Sequence, residues 1–283
     1  STNPAKRIYI NSIQMIQIFD FNIHLPIKGL KSIDEVIVDD LQLDEEKLIQ
    51  GLNYNKTYLE TTEGSNVLLF NTDLFSNSVS SFLKASKSFK NINLTSLIDF
   101  RRDDIFAYID ILIENNVKAV MVNSYLQKIS DMDIPLVLKV FKYCESKGLS
   151  ILIDGSYGTS KMFEYDNLKL MCSIAGQIKQ TSIVIIHSGG LRVKEVMLLA
   201  LENSNIYLDT SFSLPFYQGS SLEKDFAFAY KKIGVERVFY GSDLPYMEPT
   251  ETINQHLNFF EKFHFSSSEI EKILCQNATE FFK

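Results

Sequence analysis

A chain of 283 residues, 45% of them hydrophobic, can bury a sizeable core and has the length of one α/β barrel, so a single domain over residues 1–283 is expected. Its formal charge of −7 at pH 7 argues against a nucleic-acid partner, which would call for a concentrated positive surface to neutralise phosphates. No run of about 18 apolar residues is present to cross a bilayer, which argues against a membrane partner. Cys144, Cys172 and Cys275 are odd in number and without CxxC spacing, so reduced thiols in a cytoplasmic protein are expected. The opening Ser-Thr-Asn-Pro-Ala-Lys-Arg is not followed by the apolar core of a signal peptide.

In chain order, residues 15–24 read as a mostly apolar first strand that turns polar at Asp20, and Pro26 and Gly29 mark a loop. Asp44 is placed to cap a helix running to about residue 53, with Glu45 and Glu46 in the first turn, where the helix dipole favours negative charge. Strands are expected at 66–70, 92–100 and 118–122, separated by helices at 78–88 and 103–116. A helix over 135–147 ends at Gly148, a left-handed cap before a uniformly apolar strand at 150–153 of the kind buried on both faces. Helix, strand and helix follow at 168–179, 183–186 and 193–202. The pattern continues with strand 206–208, helix 226–232, strand 238–240 and two closing helices at 251–263 and 267–275. Strand then helix recurs about eight times, which favours a closed parallel (β/α)8 TIM barrel over an open sheet.

In such a barrel the chemistry sits where the strands end. Along an extended first strand Asp20, Asn22 and His24 would share one side and Phe21 and Ile23 the other. Of four histidines, His24 and His187 fall at strand ends, whereas His256 and His264 fall in or beside the final helices. Asp154 and Asp243 close apolar strands, where an unpaired carboxylate is costly to bury, so they should meet donors, cations or a metal.

Asp20-Phe21-Asn22-Ile23-His24 resembles the Asp-x-His-x-His signature on strand one of the amidohydrolase superfamily, specifically its amidohydrolase-related (family 2) branch. His187-Ser188-Gly189-Gly190 is similar to that branch's strand-six histidine and turn, and Asp209-Thr210-Ser211 to its strand seven. Gly241-Ser242-Asp243-Leu244-Pro245 resembles its strand eight, and Asn277-Ala278 its closing helix. The resemblance implies a TIM barrel with a divalent metal on two strand-one histidines, a strand-five histidine and the strand-eight aspartate, and a strand-six histidine that activates water or polarises substrate.

Position by position, His24, His187 and Asp243 match, while Asn22 and Asp154 stand where histidines belong. The implied metal set is then Asn22, His24, Asp154 and Asp243, whose oxygen content favours manganese or magnesium over zinc. The branch also implies a metal-free form, as in its lactonases, in which His24 and His187 polarise a carbonyl and Asp243 is the base. His187 and Asp243 are the expected catalytic pair. The expected activity is hydrolysis of a C–O or C–N bond in a small carbonyl compound, a lactone, ester or amide. Non-oxidative decarboxylation is the alternative within the branch, and a ligand-binding barrel without activity is the alternative outside it.

Arg101, Arg102 and Arg192 follow strands and could grip an anionic group of the substrate, although Asp103 and Asp104 offer surface partners equally well. Tyr157 and Tyr246 lie in strand-end loops and could border the ligand. Ser156, Ser188 and Ser242 lack a Gly-x-Ser-x-Gly elbow, which disfavours a serine hydrolase. Outer helices of such barrels can pair, so a homodimer is compatible with the sequence.

Overall fold

Eight short strands made almost wholly of buried residues line up in parallel, as strands covered on both faces must. The computed structural model describes residues 9–10, 14–25 and 33–283. The strands are β1 (Phe19–Ile23), β2 (Gly64–Leu69), β3 (Ile92–Leu97), β4 (Ala119–Val122), β5 (Ser150–Asp154), β6 (Ile183–Ile186), β7 (Ile206–Asp209) and β8 (Val238–Phe239). Each pairs with the next in sequence. The segment after β8 closes the ring on β1: Phe21 N donates to Tyr240 O at 2.9 Å, Asp243 N to Asn22 O at 2.9 Å and His24 N to Leu244 O at 2.7 Å. The expected TIM barrel is therefore present. The readings at Pro26, Gly29 and the first seven residues lie outside the described residues.

Alternation along the strands divides the core in two. Ile151, Ile153, Ile183 and Ile185 pack outward against the helices. Leu152, Val184, Met121, Phe21 and Phe239 fill the barrel, with Phe281 and Phe282 of the last helix packed beneath them. Phe21 stacks on Phe239 with ring centroids 4.4 Å apart, and Phe281 meets Phe21 edge-on at 5.6 Å. Helix ends follow their sequence signals. The Asp44 side chain accepts from Lys47 N at 2.8 Å, and Gly148 has φ +75°. The helix Ile33–Leu41 was not foreseen, nor were the short ones at Ser160–Glu164 and Ser213–Phe216.

β1 departs from simple alternation, and this corrects the sequence reading. The β1–β2 register shifts between Asp20 and Ile23, a bulge that changes the phase of the strand. Phe21 consequently points into the barrel core, Asn22 and His24 both line the cavity above it, and Asp20 turns behind the strand. There Asp20 Oδ1 accepts from Ser242 N at 2.8 Å, and Oδ2 accepts from the Tyr58 hydroxyl.

Burial pushes the Asp20 carboxyl up to about 7, although hydrogen bonds from Ser242, Tyr58 and Asn22 oppose the shift. A folded-state value above the unfolded one means that protonation favours the fold. The benefit is complete below about 3.9 and disappears as pH rises through about 7. At about 1.4 kcal/mol per unit, Asp20 is expected to make the protein a few kcal/mol less stable at pH 8 than at pH 4. Denaturant titrations of Asp20→Asn should show this slope flattened. A slope equal to the parent's would mean that the three hydrogen bonds keep Asp20 an ordinary ionised carboxylate.

Candidate active site

At the C-terminal ends of the strands lies a cavity of about 300 Å³. Leu68, Met121 and Ile186 form its apolar floor, and Phe70, Tyr125, Tyr157, Phe212, Phe216, Tyr217 and Tyr246 its largely aromatic wall. Asn22, His24, Asp154, His187 and Asp243 all reach it. Five residues picked out by their positions after apolar runs are thus brought to one place from four strand ends.

His24 is 2% exposed, with Nδ1 2.9 Å from Asp40 Oδ2 at an angle poor for a hydrogen bond. Its ring meets Phe70 and Tyr246 edge-on, and the Tyr246 hydroxyl donates to the same Asp40 oxygen at 3.4 Å. Burial alone would push His24 down, but the charges of Asp40 and Asp243 overcome it and hold the imidazole above its ordinary value.

His187 begins a turn of left-handed residues, with φ +62° at His187, +53° at Ser188 and +81° at Gly189. Its main-chain N donates to Asp209 Oδ1 at 2.8 Å, and Nδ1 lies 3.0 Å from both the carbonyl and the hydroxyl oxygen of Ser211. Nε2 is 3.8 Å from Asp154 Oδ2. Here too burial pushes the imidazole down, and the negative charges of Asp243, Asp154 and Asp209 more than reverse it.

Asp154 Oδ1 accepts from Ser156 N at 2.9 Å. Asp243 has φ +61°, and among the described residues no hydrogen-bond donor is placed on its carboxylate. Burial raises both carboxyls, and the neighbouring His187 and His24 pull them back. Behind the wall Asp209 is fully buried and raised by burial to about 6. Gly241 makes this packing possible: a Cβ there would sit 2.4 Å from Asp209 Oδ2 and 2.9 Å from the Cβ atoms of Asn22 and Ser211.

Tyr157, Tyr246 and Ser156 line the cavity. The three arginines do not. Arg101 pairs with Asp133 at 3.0 Å, and Arg102 with Asp73 at 2.9 Å and with Asp104. Arg192 pairs with Asp166 at 2.9 Å and stacks 3.9 Å from the Tyr157 ring centre, buttressing the wall from outside. Ser188 Oγ donates to Asp209 O at 2.6 Å, and Ser242 Oγ accepts from Leu244 N at 3.1 Å, so both serve the backbone. His256, held between Thr210 Oγ1 and Thr252 O and lowered by burial to about 4, is a neutral core histidine.

Asp40 and Ser211 were missed. Asp40 sits on the unforeseen helix beside Asp39, with nothing in the sequence to separate the two. Ser211 closes the strand-seven match, but nothing in the sequence marks it as a partner of His187.

The metal centre implied by the resemblance would have to be built from oxygen atoms and one imidazole nitrogen. Asn22 donates Nδ2 to Ser211 Oγ at 2.7 Å and keeps Oδ1, the atom an amide offers a cation, buried without a partner, while His24 turns Nδ1 to Asp40 and has Nε2 left. Among the described residues no three His, Cys, Asp or Glu side chains converge as ion ligands.

A family model described as Amidohydrolase matches residues 95–283, about two thirds of the chain. The chain belongs to the amidohydrolase family. No curated protein matches this amidohydrolase-family barrel. Among solved structures it is similar to an uncharacterised TIM-barrel protein from Bordetella bronchiseptica, at 15% identity and TM-score 0.71, covering 94% of this chain and 98% of that one. A probable 2-pyrone-4,6-dicarboxylic acid hydrolase from Acinetobacter baumannii, with citric acid bound, is similar at 14% identity and TM-score 0.59, over 94% and 99%. A 2,6-dihydroxybenzoate decarboxylase from Rhizobium is similar at 13% identity and TM-score 0.63, over 95% and 99%. At these identities the likeness is one of fold. It includes a hydrolase and a decarboxylase alike. Among the described residues no helix is long and apolar enough to cross a membrane.

Proposed function

We propose that this amidohydrolase-family barrel is a hydrolase of a small lactone or ester that works with its own side chains. One observation carries the reading: two buried imidazoles, His24 and His187, face one cavity beside buried carboxylates whose charges raise them above their ordinary value, with the Asp243 carboxylate acting on both. Such a site offers a base and two electrophiles in one cavity. Asp243 takes a proton from water as the water oxygen attacks the carbonyl carbon. His24, supported by Asp40, stabilises the oxyanion. His187 gives a proton to the departing alkoxide, and the proton on Asp243 returns to the site through solvent. Water and ester are consumed, and acid and alcohol leave.

The cavity supports a substrate with an apolar or aromatic body, since its floor is aliphatic and its wall aromatic. Arg101, Arg102 and Arg192 stand in ion pairs outside the lining, so the observed geometry gives them no hold on an anionic substrate group.

The test is a panel of aryl esters and lactones assayed with and without prolonged chelation. Turnover is expected to survive chelation, with a bell-shaped dependence of kcat/KM on pH. The acid limb reports protonation of Asp243 and the basic limb loss of the imidazolium protons. Both limbs should lie above the ordinary values of about 3.9 and 6.5, because all three groups are raised. Loss of turnover on chelation, restored by added metal, would sink the metal-free reading. Carbon dioxide release from carboxylated arenes, with esters untouched, would replace hydrolysis by decarboxylation.

A further inference from the structure

We propose that Ser211 is a positioning residue that keeps a hydrogen on Nδ1 of His187, which makes Nε2, the ring atom facing Asp154, the one that passes protons to the substrate. The use of that proton rests on the hydrolase reading. The placement of the hydrogen rests on hydrogen-bond accounting alone. A serine hydroxyl has one hydrogen and two lone pairs. The hydrogen of Ser211 Oγ goes to Asp209 Oδ1 at 2.5 Å, and one lone pair accepts from Asn22 Nδ2 at 2.7 Å. The remaining lone pair faces His187 Nδ1 at 3.0 Å, and so does the Ser211 carbonyl oxygen, which can only accept.

A bare Nδ1 would set its lone pair against both oxygens in a buried wall. Turning the hydroxyl toward Nδ1 would take a donor from the buried Asp209 carboxylate and still leave the carbonyl opposed. A hydrogen on Nδ1 satisfies Nδ1 itself and both Ser211 oxygens and leaves Asp209 its donor. Asp209 reinforces the arrangement, because it holds the Ser211 hydroxyl and also accepts from Ser211 N at 3.3 Å and from the main-chain N of His187 at 2.8 Å. Ring and backbone of His187 are thereby tied to one carboxylate. The proton taken up or released at the site then lies on Nε2, 3.8 Å from Asp154 Oδ2.

The experiment is nitrogen NMR of protein carrying 15N-labelled histidine, with His187 among the four imidazoles assigned by its absence from the spectrum of His187→Gln. At neutral pH, Nδ1 of His187 is expected in the protonated, pyrrole-type position. In Ser211→Ala the hydrogen on Nδ1 should exchange with water at least tenfold faster, since one of its two acceptors is gone, and Ser211→Thr should restore slow exchange. A pyridine-type Nδ1 signal in the parent would overturn the proposal. So would a folded Ser211→Ala protein with the parent's exchange rate. The parent spectrum decides the matter even where the alanine variant does not fold. It is read without substrate, so this assignment stands or falls separately from the hydrolase reading.

Discussion

Asp243→Asn is expected to lower kcat by roughly 10²–10⁴-fold, the range typical of a lost general base, with little change in KM. The substitution keeps size and shape, and asparagine accepts the left-handed backbone at φ +61° as readily as aspartate does, so the fold should survive. What disappears is a group able to take the proton of the attacking water. The negative charge that helps raise His24 and His187 above their ordinary value disappears with it. Both imidazoles should therefore lose their protons at lower pH, and any residual activity should show its basic limb moved down. Turnover near the parent level would take Asp243 out of the mechanism.

For Asp40→Asn a loss of about 10²-fold in kcat is expected, by the same estimate for acid–base assistance. Asp40 does not itself line the cavity and acts through His24, its Oδ2 being 2.9 Å from Nδ1. Among the groups that raise His24 against the opposing effect of burial, Asp40 comes first. Its neutralisation should leave a buried imidazole that sheds its proton more readily. Unlike Asp243→Asn, this variant should regain part of its activity as pH is lowered, because His24 can still be protonated and Asp243 is intact. A uniform loss at every pH, accompanied by a lower unfolding midpoint, would assign Asp40 to packing alone.

The two substitutions separate what is chemical from what is supporting in the cavity. Asp243 is a strand-end residue whose side chain reaches the lining, whereas Asp40 comes from the helix Ile33–Leu41 and stands behind the lining against His24 and Tyr246. The distinction matters for Asn22 as well. Its Nδ2 is engaged with Ser211, which fixes the amide and leaves Oδ1 buried without a partner.

Much of this arrangement was legible before folding. Strands such as Ile183–Ile186 and Ala119–Val122 announce themselves because a strand covered on both faces needs apolar side chains at every position, and short apolar runs between helical segments have no other use. His24, Asp154, His187 and Asp243 stood out because a polar residue closing such a run lies at the mouth of a parallel barrel. Local pattern carries that information.

The phase of β1, the partner of His24 and the fate of the arginines were decided by tertiary structure. A bulge changes which side a residue faces without changing which residues are present, so Phe21 and Asp20 exchanged the roles that alternation assigned them. Arg101, Arg102 and Arg192 follow strands as a substrate-binding residue would, yet each finds a carboxylate outside the cavity. Asp40 and Ser211 join the site through contacts between elements distant along the chain. Their chemistry depends on orientation to within a few tenths of an ångström, which packing sets and residue spacing does not encode.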